Sequence, residues 1–121
     1  MNLENLYEYC LSKKAVTESF PFDSDTLVMK VGGKMFALTN LSGFENGIPS
    51  INLKCNPERA QELRAEFDEI QPGYHMSKVH WNTINLNKNF ADKMVFELID
   101  LSYELVFGSL TKKLQTEILE L

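Results

Sequence analysis

The sequence predicts an α+β fold: a two-layer sandwich in which a mostly antiparallel sheet carries helices on one face. Three observations lead there. Two runs of strand formers, Thr26 to Val31 and Met35 to Asn40, are separated by little more than Gly32 and Gly33. Two further stretches, Ile51 to Cys55 and Trp81 to Leu86, alternate apolar and polar residues. Between and around them lie segments with the three-and-four spacing of amphipathic helices, and no strand is joined to the next by the regular helical crossover of a doubly wound sheet.

The first helix is predicted over Asn2 to Lys13, where Leu3, Leu6, Tyr7, Cys10 and Leu11 form one stripe, Asn2 is the N-cap and lysines stand at the C-terminal end. Thr17 to Asp25, with Phe20-Pro21-Phe22 at its centre, breaks that period and reads as a loop laying two aromatic rings on the core. The paired glycines tolerate the positive φ angles of a two-residue turn, so the next two runs form a β-hairpin. Leu41 to Pro49, rich in glycine, asparagine and proline, reads as a long connection to a third strand at Ile51 to Cys55.

Asn56-Pro57 opens a helix to about Asp68, because asparagine caps well and proline is tolerated at the first helical position. Ala60, Leu63 and Phe67 face inward. The strand Trp81 to Leu86 follows Pro72-Gly73. Asn89, with Asp92 three residues on, reads as a capping box for the longest helix, whose buried side is Ala91, Met94, Val95, Leu98, Ile99, Ser102, Leu105 and Val106. Gly108 ends that helix, and Leu110, Leu114 and Ile118 mark a short final one.

A length of 121 residues fits one domain, residues 1–121, with an ordinary globular share of apolar residues. No apolar run approaches the roughly 18 residues of a spanning helix, and the N-terminus lacks a basic region followed by an apolar block. The expectation is a cytoplasmic protein with no membrane contact. Two cysteines, Cys10 and Cys55, fall at apolar positions of their elements and read as small buried residues.

The net charge of −5 hides an uneven distribution. Residues 26–57 and 70–91 together hold five basic residues, Lys30, Lys34, Lys54, Lys78 and Lys88, against the single acid Glu45. The remainder holds seven basic and sixteen acidic residues. Strand parity turns Lys30, Asn52 and Lys54 outward, and Trp81, Thr83 and Asn85 with them if Ile84 and Leu86 point in. Two readings of that face stand: a surface for phosphates and unstacked bases, or ordinary solvent-facing strand positions with Trp81 packed inward.

Metal binding would use His75 and His80, with Cys55 as a third ligand, but a spacing of five puts the histidines on different sides of a helix and on opposite faces of a strand. No Gly-rich phosphate loop joins a strand to a helix, and the carboxylates lie at surface helix positions such as Glu58, Glu62 and Glu66. These patterns predict no enzyme, no metal and no cofactor.

Several blocks in order resemble the MmcQ/YjbR-like family of small bacterial proteins. They are Phe20-Pro21-Phe22, Lys30 to Leu38, Asn52 to Cys55 with Pro57-Glu58, Pro72-Gly73-Tyr74-His75-Met76-Ser77-Lys78-Val79-His80-Trp81-Asn82-Thr83, and Ser102 to Val106. Val79 stands where that family often has a basic residue, and Thr111 where proline often starts the last helix. The resemblance implies a YjbR-like fold related to CyaY-like folds and a DNA-binding role through a double-wing arrangement. On that basis Lys34 projects from the hairpin wing, and Lys78, His80 and Lys88 form a second basic patch. Tyr74 or Trp81 stacks on a base, and Lys30, Lys54 and His75 complete the interface. With so few cations, contact with DNA would be weak and salt-dependent. The alternative is a protein-interaction module that pairs through a strand edge or the sheet face, with a partner or a second copy.

Overall fold

Antiparallel pairing decides the architecture, because all six strands join one sheet through it. The computed structural model describes residues 1–121. Its elements are α1 (Leu3–Leu11), β1 (Val16–Ser19), β2 (Thr26–Val31), β3 (Lys34–Asn40), α2 (Leu41–Glu45), β4 (Ser50–Lys54), α3 (Pro57–Glu66), β5 (Ile70–Pro72), β6 (Trp81–Asn85), α4 (Asp92–Gly108) and α5 (Lys112–Leu119). The strands lie in the order β1-β2-β3-β4-β6-β5, and every neighbouring pair is antiparallel.

Gly32 and Gly33 take φ of +58° and +81°, and Val31 pairs with Lys34 across them, as a two-residue hairpin turn requires. A Cβ on Gly32 would also sit 2.6 Å from a Leu110 methyl, so the turn is closed against the core by its lack of a side chain. Further along the hairpin the register shifts, since Met29 pairs with Ala37 but Lys30 with Met35. The extra residue is Phe36, and the bulge lets Phe36 and Ala37 both enter the core.

One face of the sheet is buried. Leu27, Met29, Val31, Ile51, Leu53 and Ile84 meet Leu6 and Cys10 of α1, Leu63 of α3, Val95, Leu98, Ile99 and Val106 of α4, and Ile118 of α5. Each such side chain contributes about 1.5–3 kcal/mol when fully buried. The Ser102 hydroxyl of α4 donates to the Phe36 carbonyl (2.6 Å) and accepts from the Lys54 amide (2.9 Å), tying the helix to β3 and β4 beside the bulge.

The N-caps Asn2 and Asn56 are as the sequence predicts, each side chain accepting a first-turn amide. Five expectations change. Thr17 to Ser19 belong to the edge strand β1, and the aromatic rings that follow stay outside the core: Phe20 is 46% exposed and Phe22 65%. There Asp23 Oδ1 accepts the amides of Asp25 and Thr26, so a polar turn replaces burial. Leu41 to Glu45 form the short helix α2 within the expected connection. The three residues of β5 are too few to show alternation, and pairing with β6 creates the strand. Asn89 does not cap α4, whose N-cap is Ala91 with no side-chain bond; the Asn89 amide is instead held by Asn87 Oδ1 in a preceding turn. Ala91 and Leu105 are exposed rather than buried. No helix is long and apolar enough to cross a membrane.

Candidate nucleic-acid interface

The face of the sheet away from the helices carries no helix, and its composition follows from the register. Lys30 lies between Thr17 and Met35, Lys54 lies opposite Trp81, and Asn52 lies between Leu38 and Thr83. No strand residue on this face is a carboxylate. Lys30 and Lys54 are half-buried, their stems lying among these neighbours, and neither ammonium group enters an ion pair. Extending β5 by one residue brings Glu69 to this side, where its carbonyl accepts the Asn85 amide. That is the far end of the face, since Asn85 pairs with Ser50 while Trp81 pairs with Lys54.

Beside Lys54 stands the connection of β5 to β6, Gly73 to His80. It is a tightly bonded loop. Gly73 donates to the Trp81 carbonyl (2.8 Å), Trp81 to the Ser77 carbonyl (2.9 Å), and the Tyr74 amide to Thr83 Oγ1 (3.0 Å). Thr83 Oγ1 in turn donates to Asn52 Oδ1 (2.5 Å). A Cβ on Gly73 would lie 2.8 Å from the Trp81 Cβ, so only glycine allows the loop to fold down here. His75 holds φ of +58°, which turns the chain beyond Tyr74. The Tyr74 and His75 rings lie 4.0 Å apart, and Tyr74 is 67% exposed. His75, Lys78 and His80 are exposed as well.

Arg64 of α3 anchors this loop from the other side. Its guanidinium donates to Asn82 Oδ1 (2.6 Å), to the Trp81 carbonyl (3.1 Å) and to the Lys78 carbonyl. The sequence reading missed it. The available signal is position: Arg64 follows Leu63 and stands four residues after Ala60, at the margin of the buried stripe of α3.

The proposed site residues therefore divide. Lys30 and Lys54 stand at one end of the open face, because β2 ends, β4 ends and β6 begins there; Lys78 and His80 lie on the adjoining loop, where the Lys78 ammonium donates to the Gly73 carbonyl (3.1 Å) and the His80 carbonyl accepts the Cys55 amide (2.8 Å). Tyr74 and His75 lie on the same loop.

Three assignments need correction. Trp81 points to the open face, yet it is only 7% exposed, packed with Val28 and Leu38 and covered by Met35 and Met76; it cannot stack on a base. Lys34 leaves the open face, because its pairing with Val31 gives it inward parity, and its ammonium reaches the Ser109 carbonyl (3.4 Å) at the C-terminal end of α4. Lys88 lies beyond the end of β6, where the Leu86 amide donates to the Pro49 carbonyl (2.9 Å), at the opposite end of the sheet from Lys54.

No three histidine, cysteine or acidic side chains converge. Burial pushes the Cys10 thiol up to about 12, and burial also raises Cys55, although Arg59 and Arg64 pull it down. Both thiols are thus held protonated, the form that is not nucleophilic.

The YjbR family model matches residues 11–105 of the chain. The chain is 32% identical over 104 residues to YjbR of Escherichia coli K12, an uncharacterised protein, with 86% of each chain covered. It is 34% identical over 99 residues to YbdF of Escherichia coli O157:H7, also uncharacterised, covering 82% of this chain and 79% of that one. Among solved structures it resembles the crystal structure of a Deinococcus radiodurans protein with a DUF419 domain, with a TM-score of 0.87, 36% identity and coverage of 97% of this chain and 87% of that one. A crystal structure of a Pseudomonas syringae protein superposes with a TM-score of 0.74 at 29% identity, covering 88% and 99%.

Proposed function

Because this chain belongs to the YjbR family, its fold is that of its relatives, and we propose that it is a non-enzymatic DNA-binding protein that contacts phosphates through Lys30, Lys54 and Lys78. The observation that carries this reading is the placing of Lys30 and Lys54 at one end of an open sheet face whose strands carry no carboxylate, beside a pinned loop that holds Lys78 and an exposed aromatic ring. Permanent cations, side-chain amides and a phenol ring suit binding to a polyanion with unstacked bases. They offer no acid, base or nucleophile poised for chemistry.

Tyr74 supplies the stacking surface, and His75 and His80 flank it. The hairpin turn at Gly32 and Gly33 and the loop Gly73 to His80, which carries Lys78, stand on either side of Lys30 and Lys54 as the two wings. The acidic helices lie on the other side of the sheet and keep a polyanion from binding in the opposite orientation.

The test is a salt titration of binding to short single- and double-stranded DNA. With three phosphate contacts, the slope of log K against log salt is about −3. Replacing Lys30, Lys54 and Lys78 together by glutamine abolishes binding, whereas Lys34→Gln with Lys88→Gln leaves it within about twofold. Equal affinity of the triple variant and the native chain, or binding that survives about 0.5 M salt, would overturn the assignment.

A further inference from the structure

At the other end and the other edge of the sheet is an open groove of about 700 Å³ between α1, β1 and the start of α2. Its floor is Leu3 and Tyr7 of α1, Leu27 of β2 and Leu41 of α2, and Phe20 stands at its rim. Glu4 and Glu18 line its mouth, and no lysine or arginine does. The Tyr7 hydroxyl donates to Glu18 Oε1 (2.7 Å), which holds that carboxylate over the groove and leaves Oε2 without a partner in the chain.

The strand above the groove is open too. β1 pairs only with β2, so its other edge presents unpaired backbone groups. Residues 17–24 are exposed without a break, including Phe20 and Phe22. Natural edges are usually protected by lysine, proline or extreme shortness. The opposite edge, β5, has three residues, and Pro72 removes one donor. β1, with four residues, contains neither lysine nor proline, and its one charge is the carboxylate of Glu18, which faces the groove.

An apolar floor, an acidic mouth and a free strand edge coincide at one place. We infer that β1 is a docking edge for an extended, basic segment of another protein, which adds a seventh strand antiparallel or parallel to β1. Side chains alternate along a strand, so the inward-facing positions of the ligand two residues apart carry one apolar residue for the floor and one lysine or arginine for Glu18 and Glu4. Charge complementarity selects this occupant over a second copy of the chain: the strand has no cation to offer a partner's Glu18, and a symmetric pairing centred on that residue sets the two carboxylates against each other. Thr17 of β1 stands beside Lys30 on the open face, but Glu18, paired with the inward Met29, and the groove lie on the opposite face, so the groove and the lysine surface are separate.

The experiment displays random octapeptides to the full chain and synthesises the most enriched one for titration followed by backbone amide shifts. Enrichment of sequences with an apolar and a basic residue two positions apart is expected, with shifts centred on Val16 to Phe20. Glu18→Lys weakens that peptide by at least about tenfold, Phe20→Ser weakens it as well, and Glu117→Lys on α5, away from the groove, changes nothing. All three positions are exposed, so the variants retain the fold, which the emission of Trp81 monitors. No enrichment, enrichment of acidic peptides, or shifts confined to Gly73 to His80 overturns the inference. So does a concentration-dependent dimer lost in Glu18→Lys, which would give the edge to a second copy. Loss of DNA binding in the lysine variant leaves peptide binding intact, so failure of one surface is distinguishable from failure of the other.

Discussion

The guanidinium of Arg64 on α3 meets the side-chain oxygen of Asn82 on β6 at 2.6 Å, and the same guanidinium closes onto the carbonyls of Trp81 and Lys78. Asn82 is 2% exposed. A single side chain therefore satisfies a buried amide and fixes the base of the loop that carries Tyr74, His75 and Lys78.

Arg64→Ala removes that donor set and leaves buried acceptors unpaired, at a cost of about 1–3 kcal/mol. Urea unfolding should show the loss, and Trp81, the only tryptophan, should shift its emission to the red as the loop loosens. Arg64→Lys recovers only part of the loss, since an ammonium cannot reproduce the planar fork. Unchanged stability of the alanine variant would mean that the loop holds itself.

Ser102→Ala strips the Lys54 amide of its acceptor and the Phe36 carbonyl of its donor at a site with 0% exposure. A loss of about 2–3 kcal/mol is expected, large for the deletion of one oxygen. Hydrogen exchange should report faster opening of β4 at Lys54.

Gly73→Ala and Gly108→Ala should differ in sign. The first forces a Cβ to within 2.8 Å of Trp81 Cβ and 3.0 Å of its carbonyl, and costs about 1–3 kcal/mol. The second adds a methyl to open space in the last turn of α4 and gains up to about 1 kcal/mol of helix propensity. Thermal unfolding of the pair checks both.

Acid should weaken the attachment of α1 to α4. Burial opposes the charge on Asp100, but hydrogen bonds from the Lys13 ammonium (2.5 Å) and the Tyr9 hydroxyl (2.6 Å) outweigh it and hold the carboxyl below its ordinary value of 3.8. A depressed folded pKa contributes stability that is present above 3.8 and is lost as pH falls through the folded value. Asp100→Asn should flatten the acid limb of a stability profile below 3.8 and leave the rest of its shape unchanged. On the alkaline side, the hydrogen bond to Asp100 chiefly, aided by burial, raises Tyr9 to about 12, so its contribution is full below 10 and lost as pH rises through 12.

Tyr74→Ala should lower affinity for single-stranded DNA by about 1–3 kcal/mol, the worth of one stacked base. Trp81→Phe should leave it unchanged, because the indole lies under Met76 and Met35. The reverse result would place the stacking surface on the sheet itself.

The hairpin, the caps at Asn2 and Asn56 and the strands around Ile51 and Ile84 are legible in the sequence. Each is a local choice: paired glycines for positive φ, a polar cap before an apolar stripe, alternation with period two. Where no local signal exists the reading stops. β5 is a strand only because β6 is beside it, and Phe20 is exposed because β1 ends at the sheet edge with no layer beyond it.

The candidate site divides along the same line. Composition and parity suffice to turn Lys30 and Lys54 toward a face without carboxylates, since alternation along a strand is a property of the chain itself. Which cations then share one end of that face depends on strand order and direction, which send Lys34 to the C-terminal end of α4 and Lys88 to the far end of the sheet. The sequence by itself determined the hairpin, the strands around Ile51 and Ile84, the long helices, the helices' segregation to one side and the sign of the open face. Tertiary structure alone decided that Trp81 is covered while Tyr74 is bare, because a loop folded over its own strand and clamped by Arg64 buries one ring and exposes the other through contacts between residues distant in the chain.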